Sequence, residues 1–306
     1  MPDTVSHIGE NAFYNCSSLK QIHAPSNLSA IDKYAFYNCN SLTNFTIPTK
    51  TETIGDYAFA YCENLQNIVI PSNIKTIGNS AFSNCTKFDN IIIPQTVRTI
   101  GKGSFYNCNN LRSITLPSLG GLYTNNHLGY IFGADSYSEN ATYVPATLKE
   151  VVLTNETSIG DYAFSGCGNI ETIVIPDNVT SIGKHALKDC NKLTNLTVPF
   201  VGIKTDETTD HHLAALFGDY RYSYYSCSYN FPSTLKNVTI TGTVENIGSY
   251  AFACSSIENL VMPHGVKSIG EYAFIRQSIE KIVVPTSVET IGVGVFQENK
   301  MLGRAV

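Results

Sequence analysis

The isoleucine that opens the stretch Ile54 to Ile77 recurs at Ile8, Ile31, Ile54, Ile77 and Ile100, five copies spaced by 23 residues. The same phrase returns at Ile159, Ile182, Ile247, Ile269 and Ile291. A fixed period of this length means that one supersecondary unit is used again and again, so the fold follows from the unit and from how its copies stack.

Within one unit, Leu65, Ile68 and Ile70 fall on one side of an extended segment, whereas Gln66, Asn67 and Val69 face the other way. Pro71 ends this short strand, because proline cannot donate to a continuing ladder. Ser72 and Asn73 supply turn chemistry before Ile74 and Ile77 return to the core. The corner that follows holds Ala58, Phe59 and Cys62 in the regular unit and reads as a 3₁₀ or single helical turn. One coil of 23 residues cannot bury enough apolar surface to offset its own ordering, so copies must stack and share their apolar faces.

The phrase I-G-x-x-A-F-x-x-C-x-x-L-x-x-I-x-I-P-x-x-V resembles the BspA-type, or Treponema pallidum-type, leucine-rich repeat. It covers nearly the whole chain apart from two insertions. The resemblance implies an α/β repeat solenoid: a curved, right-handed leucine-rich-repeat superhelix with one long parallel sheet. Strand phrases beginning at Leu19, Leu42, Leu65, Phe88, Leu111, Leu148, Ile170, Leu193, Leu235, Ile257 and Ile279 give that sheet about 11 strands. The resemblance also implies a surface-exposed or secreted recognition protein, and it brings no catalytic residue with it.

Residues 1–306 therefore read as a single elongated domain, with insertions at about 118–147 and 200–234. Both ends fall inside a repeat phrase, so the segment reads as part of a longer chain whose secretion signal lies elsewhere. Uncapped repeats at the ends would also allow end-to-end self-association. Charged residues make up 15% of the chain, the formal net charge is −5 and the basic residues are scattered, which points away from nucleic acid. No apolar run is long enough for a membrane-spanning helix.

Eight of the nine cysteines (Cys16, Cys39, Cys62, Cys85, Cys108, Cys167, Cys190 and Cys254) appear once per coil, and Cys227 stands apart. The single phase predicts an inward column of reduced thiols that pack as small hydrophobes. His211 and His212 lie near Asp206, Glu207 and Asp210, yet adjacent histidines on a helix diverge and metal-ligand spacing is absent. No metal site, cofactor or catalytic group is expected, and the chain does not read as an enzyme.

The two insertions resemble each other. Leu128 to Gly133 and Leu213 to Gly218 each predict a short helix ended by glycine, and a tyrosine-rich tail follows. Loops on a rigid scaffold are where recognition residues concentrate, and tyrosine is enriched there. Tyr123, Tyr130, Tyr137, Tyr220, Tyr222, Tyr224 and Tyr225 are therefore the candidate contacts from the insertions. Val152, Val174, Thr197 and Thr239, from the β-branched column on the outer strand face, are the candidates from the sheet. The expected function is adhesion or recognition of a protein or glycan partner at the cell surface or outside the cell. The alternative is a structural spacer that holds a neighbouring domain away from the surface.

Overall fold

The computed structural model describes residues 1–120, 126–204, 212–218, 221–223, 226–228, 231–277 and 279–305, with backbone alone at 67, 221–223 and 226–228. The chain divides into two compact units, Met1–Thr154 and Asn155–Val306. Each is a parallel-strand β-solenoid. Among the described residues helix is confined to short segments in the insertions (Leu128–Phe132, Tyr137–Glu139, Asn140–Tyr143 and Leu213–Leu216), so little of the helical half of the expected α/β architecture is found there.

A coil of the first unit has three sides. The first carries the expected strands: Asn44–Thr46, Asn67–Val69, Asn90–Ile92, Ser113–Leu116 and Glu150–Leu153. They pair in parallel and in phase, Phe45 opposite Ile68 and Ile91 opposite Ile114. Alternation sets the facing: Ile91 is 3% exposed, against 76% for Val69 and 69% for Ile92. The phrase beginning at Leu19 forms no strand and is joined to the next coil by the Thr43 amide donating to Lys20 O at 3.2 Å.

The second side was not expected as sheet. His7–Ile8, Ala30–Ile31, Thr53–Ile54, Thr76–Ile77 and Thr99–Ile100 form a parallel ladder of their own, isoleucine inward. Three of these isoleucines are followed by a glycine, Gly55, Gly78 and Gly101, that lies against the backbone of the coil before it. A Cβ on Gly78 would come within 2.5 Å of the Asp56 nitrogen, so no side chain fits there.

The third side is the corner, and it is not a helical turn. It is a run of tight turns in which two residues per coil, four apart, hold positive φ: Tyr34 and Asn38, Tyr57 and Tyr61, Ser80 and Asn84. The left-handed residues turn alternate amides along the stacking direction. Phe36 N thus donates to Ala58 O, Phe59 N to Ala81 O and Phe82 N to Ser104 O, each at 2.8 Å. The coils are therefore hydrogen-bonded to one another on all three sides.

The second unit repeats the plan. Thr172–Val174, Asn195–Val198, Asn237–Ile240 and Asn259–Val261 pair in parallel, as do Lys281–Ile282 and Arg304–Ala305. With the five strands of the first unit, these six make eleven first-side strands among the described residues, with Arg304–Ala305 in place of the phrase at Leu19.

Inside, the repeat becomes a set of columns. Phe13, Phe36, Phe59, Phe82 and Phe105 stack at 5.0 to 5.7 Å between centroids, with interplanar angles from 1 to 12°. Beside them each thiol donates to the phenylalanine carbonyl of the preceding coil: Cys62 to Phe36 O at 3.2 Å, Cys85 to Phe59 O at 3.3 Å and Cys108 to Phe82 O at 3.3 Å. Burial pushes the Cys39 and Cys108 thiols up to about 12, and those of Cys62, Cys85, Cys167 and Cys190 also move up.

Two members of the expected thiol column differ. Cys16 is exposed. Cys254 is disulfide-bonded, and in its coil the buried Ser255 takes the column position. In the following coils Gln277 donates its side-chain amide to Phe252 O and Asn299 donates to Phe274 O, the bond that cysteine makes elsewhere.

The insertions contribute corners. In the first, Gly103 N donates to Tyr130 O and Phe105 N to Ile131 O, both at 2.9 Å, so Leu128–Phe132 takes the place of a regular corner. In the second, His185 N donates to Ala215 O at 2.9 Å and Leu187 N to Leu216 O at 2.7 Å. Leu128, Ile131, Phe132, Leu213, Leu216 and Phe217 are buried. The predicted short helices are thus 3₁₀ segments built into the core.

Two outcomes follow for stability and thiol chemistry. Ile91→Asp should lower stability by several kcal/mol, because it buries an unpaired charge, while Ile92→Asp should cost about 1 kcal/mol or less; paired thermal melts check this, and equal losses would refute the facing. Denatured without reductant, the protein should titrate for seven thiols, nine cysteines less the two consumed by one disulfide. Native protein at pH 8 should react quickly only at Cys16, since the buried thiols hold their protons well above that pH.

Candidate functional site

Two kinds of surface stand out from the solenoid, and the first is the outer strand face. Thr115 and Val152 lie side by side in the first unit, and Val174, Thr197, Thr239 and Val261 run in one line in the second. All four sheet candidates, Val152, Val174, Thr197 and Thr239, point outward and are half-exposed. The larger exposed apolar surface lies beyond them. In the second unit Val261, Val283 and Met301 are 56, 56 and 57% exposed and border a hollow of about 800 Å³.

Charge frames that hollow. Lys236 pairs with Glu258 at 2.8 Å, and Glu280 and Lys281 complete the rim. Beside it, Asn259 donates to Asn237 and Asn237 to Asn195, each at 2.7 Å, so the polar column holds itself in place. The result is an apolar patch with a balanced polar border, the composition of many recognition surfaces.

The insertion tyrosines are placed unevenly. Tyr123, Tyr220, Tyr224 and Tyr225 lie outside the described residues, and for Tyr222 the backbone alone is described, in the hairpin of Arg221–Ser223 with Ser226–Ser228. Tyr130 is half-buried and packs edge-on to His127 at 6.5 Å. Tyr137 is exposed and opens the 3₁₀ turn Tyr137–Glu139. The loop around them is anchored by buried Asn140, whose Oδ1 accepts from Gly129 N at 3.0 Å and lies 2.9 Å from His127 Nδ1. Burial lowers the pKa of His127, so its imidazole stays neutral and serves as packing.

The second surface was missed in the sequence. Tyr14, Tyr34, Tyr37, Tyr57 and Tyr61 cluster on the corner of the first unit: Tyr14 stacks on Tyr37 at 4.9 Å and Tyr34 on Tyr57 at 5.0 Å. Burial and then the neighbouring tyrosines, Tyr61 and Tyr14 first, raise the pKa of Tyr37. Tyr250 and Tyr272 repeat the stack at 5.3 Å in the second unit. The signal was present in the phrase I-G-x-Y-A-F, whose fourth position is tyrosine at 34, 57, 162, 250 and 272, five of the ten copies.

Among the described residues no group of three or more His, Cys, Asp or Glu side chains is arranged to hold a metal ion, and no helix is long and apolar enough to cross a membrane. What the surfaces offer is aromatic and apolar contact framed by hydrogen-bonding groups.

Among curated proteins none matches the chain. Of solved structures, a leucine-rich repeat protein from Bacteroides ovatus is 26% identical over 98% of this chain and 82% of its own, with a TM-score of 0.46. The Treponema pallidum leucine-rich repeat protein is 26% identical over 62% of this chain and 72% of its own, with a TM-score of 0.40. A leucine-rich cell surface protein from Faecalibacterium prausnitzii is 24% identical over 98% of this chain and 76% of its own, with a TM-score of 0.38. The sequence signature of the BspA type leucine-rich repeat region fits residues 1–112, 137–208 and 220–303 in six copies, and the chain therefore belongs to the BspA-type leucine-rich-repeat proteins.

Proposed function

We propose that this chain is a non-catalytic recognition module that works outside the cell and binds a protein partner through its outer strand face, with the tyrosine-rich insertions adding contacts. The observation that carries the reading is the exposed set Val261, Val283 and Met301 within a charged border. Large exposed apolar patches with polar rims mark interaction sites, whereas a spacer gains nothing from one. The disulfide at Cys254 supports an extracellular setting, since disulfides persist in oxidising compartments. The raised thiol pKa values argue against cysteine nucleophiles, because thiolate is the reactive form.

The test is a solid-phase screen of extracellular-matrix proteins and mucins against the whole chain, followed by surface plasmon resonance on any partner found. A double variant, Val261→Asp with Val283→Asp, should keep the melting temperature and lose at least tenfold in affinity. A second variant with Tyr220, Tyr222, Tyr224 and Tyr225 changed to Ser measures the share of the insertion. Unchanged binding in both would move the site elsewhere, and no partner in the screen would favour the spacer.

A further inference from the structure

The tyrosine column of the first unit is interrupted, and the interruption makes a slot. Positions 34, 57, 80 and 103 follow one another at the same corner of successive coils, with φ of 56, 55, 52 and 65°. Their amides donate in the same way to the next coil, Tyr34 N to Asp56 O, Tyr57 N to Asn79 O, Ser80 N to Lys102 O and Gly103 N to Tyr130 O. Rings fill the first two places, but serine and glycine occupy the next two. The outer face of Tyr57 is thus left without the ring that Tyr34 supplies on its other side.

Opposite, Tyr106 is exposed and lies 6.2 Å from Tyr143 of the first insertion, which closes the far wall. Tyr57 and Tyr106 belong to coils two steps apart, about 10 Å at the spacing of neighbouring strands, and the hollow between them measures about 620 Å³. Its remaining lining is polar. Asp56 Oδ1 accepts from Asn79 N at 2.7 Å, Asn79 Oδ1 accepts from Lys102 N at 2.9 Å, and Lys102 pairs with Asp135.

We propose that this slot binds the pyranose ring of an uncharged sugar. A pyranose carries a face of C–H groups that can lie on Tyr57, and a rim of hydroxyls that donate and accept at once. Asp56, Asn79, Ser80 and Lys102 offer both acceptors and donors at the base. An aromatic side chain of a partner would match the walls but would desolvate the Asp56 carboxylate and the Lys102 ammonium without replacing their hydrogen bonds. An acidic sugar would bring a second negative charge beside Asp56. The site uses corner residues and shares none with the strand face, so the two readings stand or fall separately.

Titration calorimetry and saturation-transfer NMR on the whole chain, with methyl glycosides of glucose, galactose, mannose and N-acetylglucosamine, test it. At least one glycoside should bind saturably in the millimolar range. Ser80→Tyr should weaken that binding at least tenfold with the melting temperature held or raised, because tyrosine already occupies this backbone position at Tyr34 and Tyr57. Tyr106→Ala should weaken it as well, and keeps the test alive should Ser80→Tyr fail to fold. The double strand-face variant should bind sugar as the parent does. No saturable binding by the parent, equal binding by Ser80→Tyr, or binding of N-acetyl-tyrosine amide in place of every glycoside would overturn the proposal.

Discussion

Backbone hydrogen bonds along the stacking direction hold this molecule in shape. A coil this small cannot satisfy its own amides and carbonyls, and unpaired backbone groups are expensive to bury. Each coil therefore hands them to the next on all three sides: the strands, the isoleucine ladder and the left-handed corner. The corner is the costly side, since a non-glycine residue at positive φ gives up about 1–3 kcal/mol. Two such residues per coil turn amides along the stacking direction, and the 2.8 Å bonds from Phe36, Phe59 and Phe82 to the next coil are what they gain. The close approach also explains the glycines at 55, 78 and 101, because sharing hydrogen bonds at this range leaves no room for a Cβ there.

The period made the repeat, the strand facing and most of the core legible, because those depend on which residues are apolar and how they alternate. Val69 and Ile92 outward with Ile91 inward is the alternation of the phrase itself. The second ladder was not legible, for two residues such as Thr76–Ile77 are too short to show alternation. Nor was the corner. Tyrosine and histidine at φ of 54 to 59° carry no recognised turn signal, and the conformation is imposed by the neighbouring coil rather than by the residue. The insertions misled for a similar reason: an amphipathic segment such as Leu213–Leu216 predicts a helix equally well whether it covers a coil or replaces part of one.

Translation by one coil turns every residue type into a column, so a useful surface in such a protein is either a column or a gap in one. The asparagines at positions 195, 237 and 259 are a column that ties itself together. The tyrosines at the corner are another, and there the gap at Ser80 and Gly103 matters more than the ring before it. A regular column has already spent its faces on its neighbours, whereas a gap leaves faces and polar groups unspent. Strict repetition thus builds the wall, and departures from it are where selective contact can be placed.

The disulfide is a case of the same logic. In a regular coil the cysteine follows phenylalanine by three residues, faces inward and donates to a carbonyl of the coil before it, as Cys62 does to Phe36 O. Such a thiol keeps its proton, and because exchange requires thiolate, stacked cysteines can sit one coil apart in an oxidising medium without cross-linking. In the coil of Phe252 the cysteine comes one residue earlier. Cys254 thereby lands on the left-handed corner position, at φ 58°, half-buried instead of buried, and Ser255 drops into the column behind it. The shift of a single residue moves a thiol from the protected column to the reactive edge of the coil, and the disulfide is found there.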